Sequence, residues 1–220
     1  MFRVKICGIT SVDDALLVAA AGADAIGLNC YQASPRYCPP EVARAIVQAI
    51  PARLVKVGVF VNAAADEIRA AAAAIGLDVA QLHGDEPPEL LRAVRPLPTV
   101  KVFRIADELP AVADYLRGCH RAGCVPRMVM VDASRAGQYG GTGATVDWRA
   151  LATARREFGG TPLVLAGGLT PANVRRAIHE VRPWAVDVAS GVESSPGKKS
   201  AELVRQFVAE AVQAFSHPVR

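Results

Sequence analysis

Six polar side chains interrupt runs of the sequence that are otherwise apolar and rich in β-branched residues: Lys5, Cys7, Gln81, His83, Asp132 and Asp187. In the first run Lys5 and Cys7 alternate with Val4 and Ile6, and Asp187 lies between two valines. Successive side chains of a strand point to opposite faces, so the alternation places these polar groups on one face of their strands. Thiol, carboxyl and imidazole groups take up and release protons, which predicts general acid–base chemistry.

Two glycine-containing turns predict a second kind of site, one for an anion. Gly167 and Gly168 follow a β-branched run, and Ser190 and Gly191 follow the next one. Glycine has no Cβ, so its backbone N–H group can come close to an oxyanion. Each turn alone is also typical of an ordinary chain reversal, whereas two turns after consecutive strands favour a phosphate-binding site.

The elements that must position these residues are short strands alternating with helices. Strands are predicted at Phe2–Cys7, Asp24–Asn29, Leu54–Phe60, Asp78–His83, Thr99–Arg104, Met128–Asp132, Pro162–Ala166 and Ala185–Ala189. Helices are predicted at Ser11–Ala21, Pro40–Ile50, Ala63–Ile75, Pro87–Val94, Leu109–Cys119, Val146–Glu157, Pro171–His179 and Lys199–Phe215. Ser11 is a predicted helix cap, and Thr170 is another, with Pro171 in the first helical position.

The fold class predicted by this order is α/β, a single (β/α)8 TIM barrel domain over residues 1–220. The alternative is a doubly wound sheet, which usually carries a glycine fingerprint after its first strand; here that turn reads Cys7-Gly-Ile-Thr10 and lacks it. In a barrel the carboxyl ends of the strands hold the active site, and the loops after strands seven and eight often bind phosphate. Buried charge is energetically costly, so polar side chains inside a barrel favour an enzyme over a non-catalytic binding protein.

Composition excludes several other classes of protein. Of 220 residues, 51% are hydrophobic and 21% charged, which is too apolar for a disordered chain. The net charge of +4 without a basic run, together with 5% aromatic residues, argues against a nucleic-acid partner. No apolar run reaches the roughly 18 residues of a membrane span, and the scattered histidines assemble no metal site.

The cysteines and the longest loop give three further expectations. Five cysteines behind an N-terminus without a signal-peptide pattern predict reduced thiols in the cytoplasm. Four of these thiols are expected only to pack in the core or in loops: Cys30, Cys38, Cys119 and Cys124. The glycine-rich loop 133–144, after the sixth strand, is predicted to lie on the catalytic face, where long loops often act as lids.

Seven motifs, in order along nearly the whole chain, resemble those of the phosphoribosylanthranilate isomerase family. They are Lys5-Ile-Cys-Gly-Ile-Thr10, Ser34-Pro-Arg-Tyr37, Gln81-Leu-His-Gly84, Val131-Asp132, Gly140-Gly-Thr-Gly143, Ala166-Gly-Gly-Leu169 and Asp187-Val-Ala-Ser-Gly-Val-Glu193. The first motif discriminates best, because the related sugar isomerase of histidine synthesis carries aspartate where Cys7 stands, and indole-glycerol-phosphate synthase relies on lysines. An aspartate there would have indicated a dual-substrate sugar isomerase.

The resemblance implies an Amadori rearrangement in tryptophan biosynthesis, with a phosphorylated small molecule as substrate and no cofactor or metal. It implies that Cys7 is the base, that Asp132 is the acid and that Arg36 binds the anthranilate carboxylate, for which a planar guanidinium is suited. The phosphate is expected at Gly167, Gly168, Ser190 and Gly191.

Four interior residues are expected to bind substrate or to support the catalytic pair: Lys5, Gln81, His83 and Asp187. Lys5 lies on the same strand face as Cys7, where its ammonium either stabilises the thiolate and brings the thiol's pKa toward neutrality, or pairs with Asp187. Helix patterning leaves two oligomeric states open, monomer and homodimer.

Overall fold

Eight parallel strands close into a barrel in the computed structural model, which describes residues 1–104, 109–132 and 148–217. The strands are β1 Val4–Cys7, β2 Ala25–Asn29, β3 Val55–Phe60, β4 Val79–Leu82, β5 Thr99–Arg104, β6 Met128–Asp132, β7 Leu163–Ala166 and β8 Ala185–Val188. Each strand pairs with its neighbours in sequence, and β8 pairs with β1. The predicted barrel is confirmed, and the doubly wound alternative is excluded by the closure.

The helices that connect the strands lie close to their predicted positions. Those formed by the described residues are α1 Val12–Ala20, α2 Pro40–Ala49, α3 Ala65–Ile75, α4 Pro88–Ala93, α5 Leu109–Arg121, α6 Trp148–Ala154, α7 Val174–Val181 and α8 Ala201–Ser216. The Ser11 cap is confirmed, because its side chain accepts a hydrogen bond from the N–H of Asp14. The first two predicted residues of α6 lie outside the described ranges, as does the glycine-rich loop 133–144.

Helix α3 begins two residues later than predicted, and two other predicted helix starts fall on residues that form different structure. Helix α7 begins at Val174 rather than Pro171, because Asn173 Oδ1 accepts the N–H of Thr170 and closes a turn before the helix. Helix α8 begins at Ala201 with Ser200 as its cap, whose side chain accepts a hydrogen bond from an N–H of the first turn. The predicted first residue of that helix, Lys199, instead belongs to a short hairpin formed by β9 (Glu193–Ser195) and β10 (Lys198–Lys199).

Side-chain alternation divides the apolar core into two layers. The layer between strands and helices includes the residues predicted to face outward: Val4, Ile6, Val129, Val131, Val186 and Val188. The strand residues that point the other way, into the barrel, form a smaller apolar cluster: Phe2, Ala25, Val57, Val100, Val102, Met128, Met130, Val164, Ala166 and Ala185. The interior also contains buried polar side chains, those of Lys5, Gln81 and Asp187. The predicted inward direction of these side chains is therefore confirmed.

A buried ion pair on the outside of the barrel ties together the loops that follow β3 and β4. Lys101 Nζ lies 2.7 Å from Glu86 Oε2 and donates a second hydrogen bond to the carbonyl of Gly84. The Glu86 carboxylate accepts the N–H groups of Asn62 and Gly84. Asn62 has a φ of 52°, a left-handed conformation, and its side chain accepts the N–H of Asp85. This network fixes the segment that leaves the end of β4.

Replacing Lys101 by Met should lower the free energy of unfolding by about 3–5 kcal/mol, because it leaves the Glu86 carboxylate buried without its cation. The double variant Lys101→Met/Glu86→Gln removes that charge too and should recover part of the loss. Urea unfolding of wild type, Lys101→Met, Glu86→Gln and the double variant measures both effects. A double variant whose losses simply add would show that the unpaired charge is not the cause.

The pair also makes stability depend on pH. Burial raises the pKa of Glu86, but Lys101 and the backbone N–H donors outweigh it and hold the pKa below its ordinary value. A carboxyl with a lowered folded pKa stabilises the fold above its unfolded pKa, and this contribution disappears as the pH falls through the folded value. The stability difference between wild type and Glu86→Gln should therefore shrink on acidification below about pH 4.5.

Candidate active site

The buried pair Lys5–Asp187 lies where β1 meets β8. The two residues face each other in the strand register, and Lys5 Nζ lies 2.8 Å from Asp187 Oδ1. Burial lowers the pKa of Lys5, but Asp187 and Cys7 together raise it above its ordinary value. Lys5 is therefore positively charged at neutral pH, and the pairing with Asp187, one of the two alternatives for this lysine, is present.

Cys7, the last residue of β1, shares this ammonium. Burial raises the pKa of its thiol, Lys5 opposes that effect, and Asp187 adds to it. The net shift is upward, so the expectation that the site brings the thiol's pKa toward neutrality is wrong: desolvation outweighs the nearby cation. As expected, Lys5 taken alone lowers the pKa of the thiol.

Gly27 makes room for both side chains and was not singled out in the sequence. It lies opposite Cys7 in the register of β2. A Cβ at this position would lie 2.6 Å from Cys7 Sγ and 2.9 Å from Lys5 Nζ, closer than carbon atoms tolerate. Glycine in the middle of a strand often marks such a close approach.

His83 and Asp132 meet on the other side of the barrel opening. Asp132 ends β6, which is separated from β1 by β7 and β8. His83 Nε2 lies 3.6 Å from Asp132 Oδ2, and about a fifth of each side chain is exposed. Burial lowers the pKa of His83 and outweighs the opposing effect of Asp132, so the imidazole is neutral at pH 7. The carboxyl group therefore has an uncharged neighbour.

Gln81 lies inside the barrel with only 2% of its surface exposed. Its Oε1 is buried and has no hydrogen-bond partner within the described part of the chain. An unpaired buried acceptor is unfavourable, so this oxygen is suited to accept a hydrogen bond from a bound molecule.

Arg36, in the loop between β2 and α2, is held by a carboxylate that sequence reasoning missed. Its Nε and Nη2 each lie 2.7 Å from an oxygen of Glu193. The side chain passes over Gly8, where φ is +75° and a Cβ would lie 2.5 Å from Arg36 Cδ. Lys199 Nζ lies 2.8 Å from the same carboxylate. Glu193 ends the last of the seven motifs, and Lys199 was predicted to begin a helix.

The two predicted phosphate-binding turns lie against each other. Gly167 and Gly168 both adopt positive φ, 84° and 66°, which favours glycine. A Cβ on Gly191 would lie 1.9 Å from the carbonyl oxygen of Leu169, so only glycine permits this contact between the turns after β7 and β8. Ser190 begins a single 3-10 turn that ends at Val192. The four predicted phosphate-binding residues therefore belong to one region.

The remaining thiols occupy packing positions. Cys38, Cys119 and Cys124 belong to the buried core, and Cys30 packs against it. Across the ranges that the structure describes, no group of three or more His, Cys, Asp and Glu side chains could hold a metal ion. Within the same ranges, no helix is both long and apolar enough to cross a membrane.

Comparisons with known proteins agree on one family. The family model described as N-(5'-phosphoribosyl)anthranilate isomerase matches residues 4–210. The N-(5'-phosphoribosyl)anthranilate isomerase of Geobacter metallireducens is 46% identical over 213 residues, which cover 96% of this chain and 99% of that protein. The Rubrobacter xylanophilus protein of the same name is 46% identical over 215 residues, covering 96% of this chain and 99% of its own.

Solved structures give the same result. The phosphoribosylanthranilate isomerase of Thermotoga maritima superposes with a TM-score of 0.87 at 40% identity, covering 97% of this chain and all of that one. A crystal structure of such an isomerase in complex with reduced 1-(o-carboxyphenylamino)-1-deoxyribulose 5-phosphate superposes with a TM-score of 0.83 at 38% identity, again over 97% of this chain and all of that one.

The electrostatics of the Lys5–Cys7–Asp187 cluster are testable without any substrate. The variant Lys5→Met should move the pH midpoint of Cys7 alkylation upward, because it removes the cation that favours the thiolate. Asp187→Asn should move the midpoint downward, because it removes an anion and leaves Lys5 in place. Alkylation is followed by mass spectrometry on the peptide that carries Cys7. An unchanged midpoint in Lys5→Met would show that the ammonium does not act on the thiol.

Proposed function

The chain belongs to the N-(5'-phosphoribosyl)anthranilate isomerase family, and we propose that Cys7 is its general base and Asp132 its general acid. The enzyme is an intramolecular oxidoreductase of tryptophan biosynthesis. It converts N-(5'-phosphoribosyl)anthranilate to 1-(o-carboxyphenylamino)-1-deoxyribulose 5-phosphate. The assignment rests above all on one observation: a thiol beside a buried ammonium and a carboxyl beside a neutral imidazole end two strands on different sides of the barrel opening.

The reaction requires two proton transfers at different atoms. Asp132 gives its proton to the ribose ring oxygen as the bond from that oxygen to C1 breaks, leaving a protonated Schiff base between C1 and the anthranilate nitrogen. The Cys7 thiolate then removes the proton from C2, and the electron pair of that C–H bond forms the C1=C2 bond of an enolamine. Tautomerisation of the enolamine moves the hydroxyl proton of C2 to C1 and gives the ketone. No step needs an electron acceptor outside the substrate.

The protonation states of the pair are linked. The proposed reaction starts from the form with the proton on Asp132 and a Cys7 thiolate and ends with the reverse, so the two forms contain the same number of protons. The raised pKa of the thiol makes the reactive form the minor one. The proposed acid lies beside the neutral imidazole of His83. The proposed base lies beside Lys5, which lowers the pKa of the thiol although burial raises it by more.

The rest of the site is proposed to hold the substrate in place. The guanidinium of Arg36 binds the anthranilate carboxylate, and backbone N–H groups of Gly167, Gly168, Ser190 and Gly191 receive the phosphate. Gln81 Oε1 accepts a hydrogen bond from a substrate hydroxyl, for which its unpaired buried position is suited. The side chains of Lys5, His83 and Asp187 line the same space next to the catalytic pair.

The cellular setting is likewise proposed. Five free cysteines, three of them buried, are compatible with the reducing cytoplasm. A solved structure of a related isomerase describes monomers generated from the dimeric protein of Thermotoga maritima. This protein is proposed to act as a monomer or a homodimer, and analytical ultracentrifugation distinguishes the two.

Replacing Cys7 by Ser should lower kcat by roughly 10²- to 10⁴-fold, because a hydroxyl of similar size is a far weaker general base near neutral pH. The reduced product analogue should still bind within a few-fold of wild type. Loss of substrate fluorescence measures turnover, and titration calorimetry measures binding. A variant that keeps more than about a tenth of the wild-type kcat would contradict the assignment of the base.

Replacing Arg36 by Met should raise KM roughly tenfold to a hundredfold, because a hydrogen bond between charged groups contributes about 1.5–3 kcal/mol. Inorganic phosphate should inhibit this variant about as well as wild type, since the glycine turns are unchanged. Steady-state kinetics with and without phosphate measure both quantities. Equal weakening of phosphate inhibition would contradict the separation of the carboxylate and phosphate subsites.

A further inference from the structure

Glu193 occupies a buried position behind the guanidinium that is proposed to bind the substrate carboxylate. We propose that Glu193 is a positioning residue, which fixes the orientation of Arg36 so that the free edge of its guanidinium receives the anthranilate carboxylate. This inference rests on the proposed function of Arg36 and extends it to a residue that no motif argument had assigned.

The hydrogen-bond geometry of Arg36 leaves one edge for a ligand. A guanidinium has five N–H donors arranged in a plane. Glu193 occupies one edge, taking a hydrogen bond from Nε and another from Nη2, each 2.7 Å long. The other edge, formed by Nη1 and the second N–H of Nη2, has no acceptor among the residues that the structure describes. A second carboxylate can therefore bind side by side with Glu193, without displacing it.

Glu193 itself is anchored from behind, so Arg36 must adapt to it rather than the reverse. The side chain of Glu193 is 4% exposed, and that of Lys199, at the base of the β9–β10 hairpin, has no exposed surface. Lys199 Nζ donates to Glu193 Oε1 and to the carbonyl of Ala189, at distances of 2.8 and 3.1 Å. These two bonds hold the carboxylate against the start of the turn after β8.

The charges of the three side chains suit the binding of one further anion. Burial raises the pKa of Glu193, but Arg36 and Lys199 outweigh it and keep the carboxyl ionised. Burial lowers the pKa of Lys199 by more than Glu193 raises it. With Lys199 protonated, two cations and one anion leave a net charge of +1, which a substrate carboxylate neutralises. Without the Lys199 ammonium, the substrate would meet an already neutral Arg36–Glu193 pair. A ligand carboxylate at Arg36 is therefore favoured although an acidic side chain already pairs with it.

The decisive quantity is carboxylate selectivity, defined as the affinity for the reduced product analogue divided by that for the same compound without its o-carboxyl group. Both Kd values and kcat are measured for wild type, Glu193→Gln, Arg36→Met and the double variant. Glu193→Gln should reduce the selectivity about tenfold, with kcat within about threefold of wild type, because the loss is one of binding. The double variant should have the same selectivity as Arg36→Met, because Glu193 acts only through Arg36.

Glu210→Gln is the matched control. Glu210 pairs with Arg175 Nε at 2.6 Å on the outer surface, so this variant removes the charge of an Arg–Glu pair that lies on α7 and α8. It should leave selectivity and kcat unchanged.

The possible results separate the two proposals. If Arg36→Met leaves the selectivity unchanged, the proposed role of Arg36 is wrong, and the inference on Glu193 falls with it. If Arg36→Met lowers the selectivity but Glu193→Gln leaves it unchanged or raises it, Arg36 keeps its role and Glu193 is either irrelevant or a competitor of the substrate. Equal weakening of both analogues in Glu193→Gln would show a general structural role and would also overturn the inference.

Discussion

The contact on which the rest of the site depends is the buried ion pair between Lys5 and Asp187. It joins β1 to β8, the two strands whose pairing closes the barrel. Lys5 has no exposed side-chain surface, so the ammonium keeps its charge only because Asp187 and the thiol of Cys7 surround it. Removing one partner of such a pair leaves an uncompensated buried charge, which ordinarily destabilises a protein by several kcal/mol. The same ion pair therefore links the two strands that close the barrel and influences the pKa of the Cys7 thiol.

Most charged side chains of the site lie on one side of the barrel opening, and the Asp132–His83 pair lies on the other. Around Cys7 and Arg36, three cations and two carboxylates interlock through contacts of 2.7–2.8 Å: Lys5, Arg36, Lys199, Asp187 and Glu193. On the other side, Asp132 faces a neutral imidazole at 3.6 Å. The first region is rich in cations, whereas the second places an uncharged imidazole beside its carboxyl group. The proposed acid–base reaction runs between these two regions.

Small residues decide how closely the charged groups approach. Gly27 leaves space for the thiol and the ammonium, Gly8 leaves space for the side chain of Arg36, and Gly191 allows the turns after β7 and β8 to touch. At each of these positions a Cβ would lie less than 3 Å from an atom of the site. The glycines therefore contribute as much to the geometry as the charged side chains, although they perform no chemistry themselves.

The sequence by itself determined the barrel, the strand order and the inward direction of Lys5, Cys7 and Asp187. These features follow from the alternation of apolar and polar side chains within single strands, and β5 and β6 have the predicted bounds. The glycine turns were identified for a similar reason, because a missing Cβ is visible in the chain itself. Family motifs added the roles proposed for the catalytic pair.

Only the tertiary structure decided which charged groups meet. Glu193 and Arg36 are 157 positions apart, and their pairing depends on barrel closure and on the hairpin that carries Lys199. The upward shift of the pKa of Cys7 and the late start of α7 were decided in the same way, one by the depth of burial and the other by the side-chain bond from Asn173 to Thr170. Alternation is a local property that a strand carries alone, whereas desolvation and ion pairing depend on the distances between groups that folding brings together from remote parts of the chain.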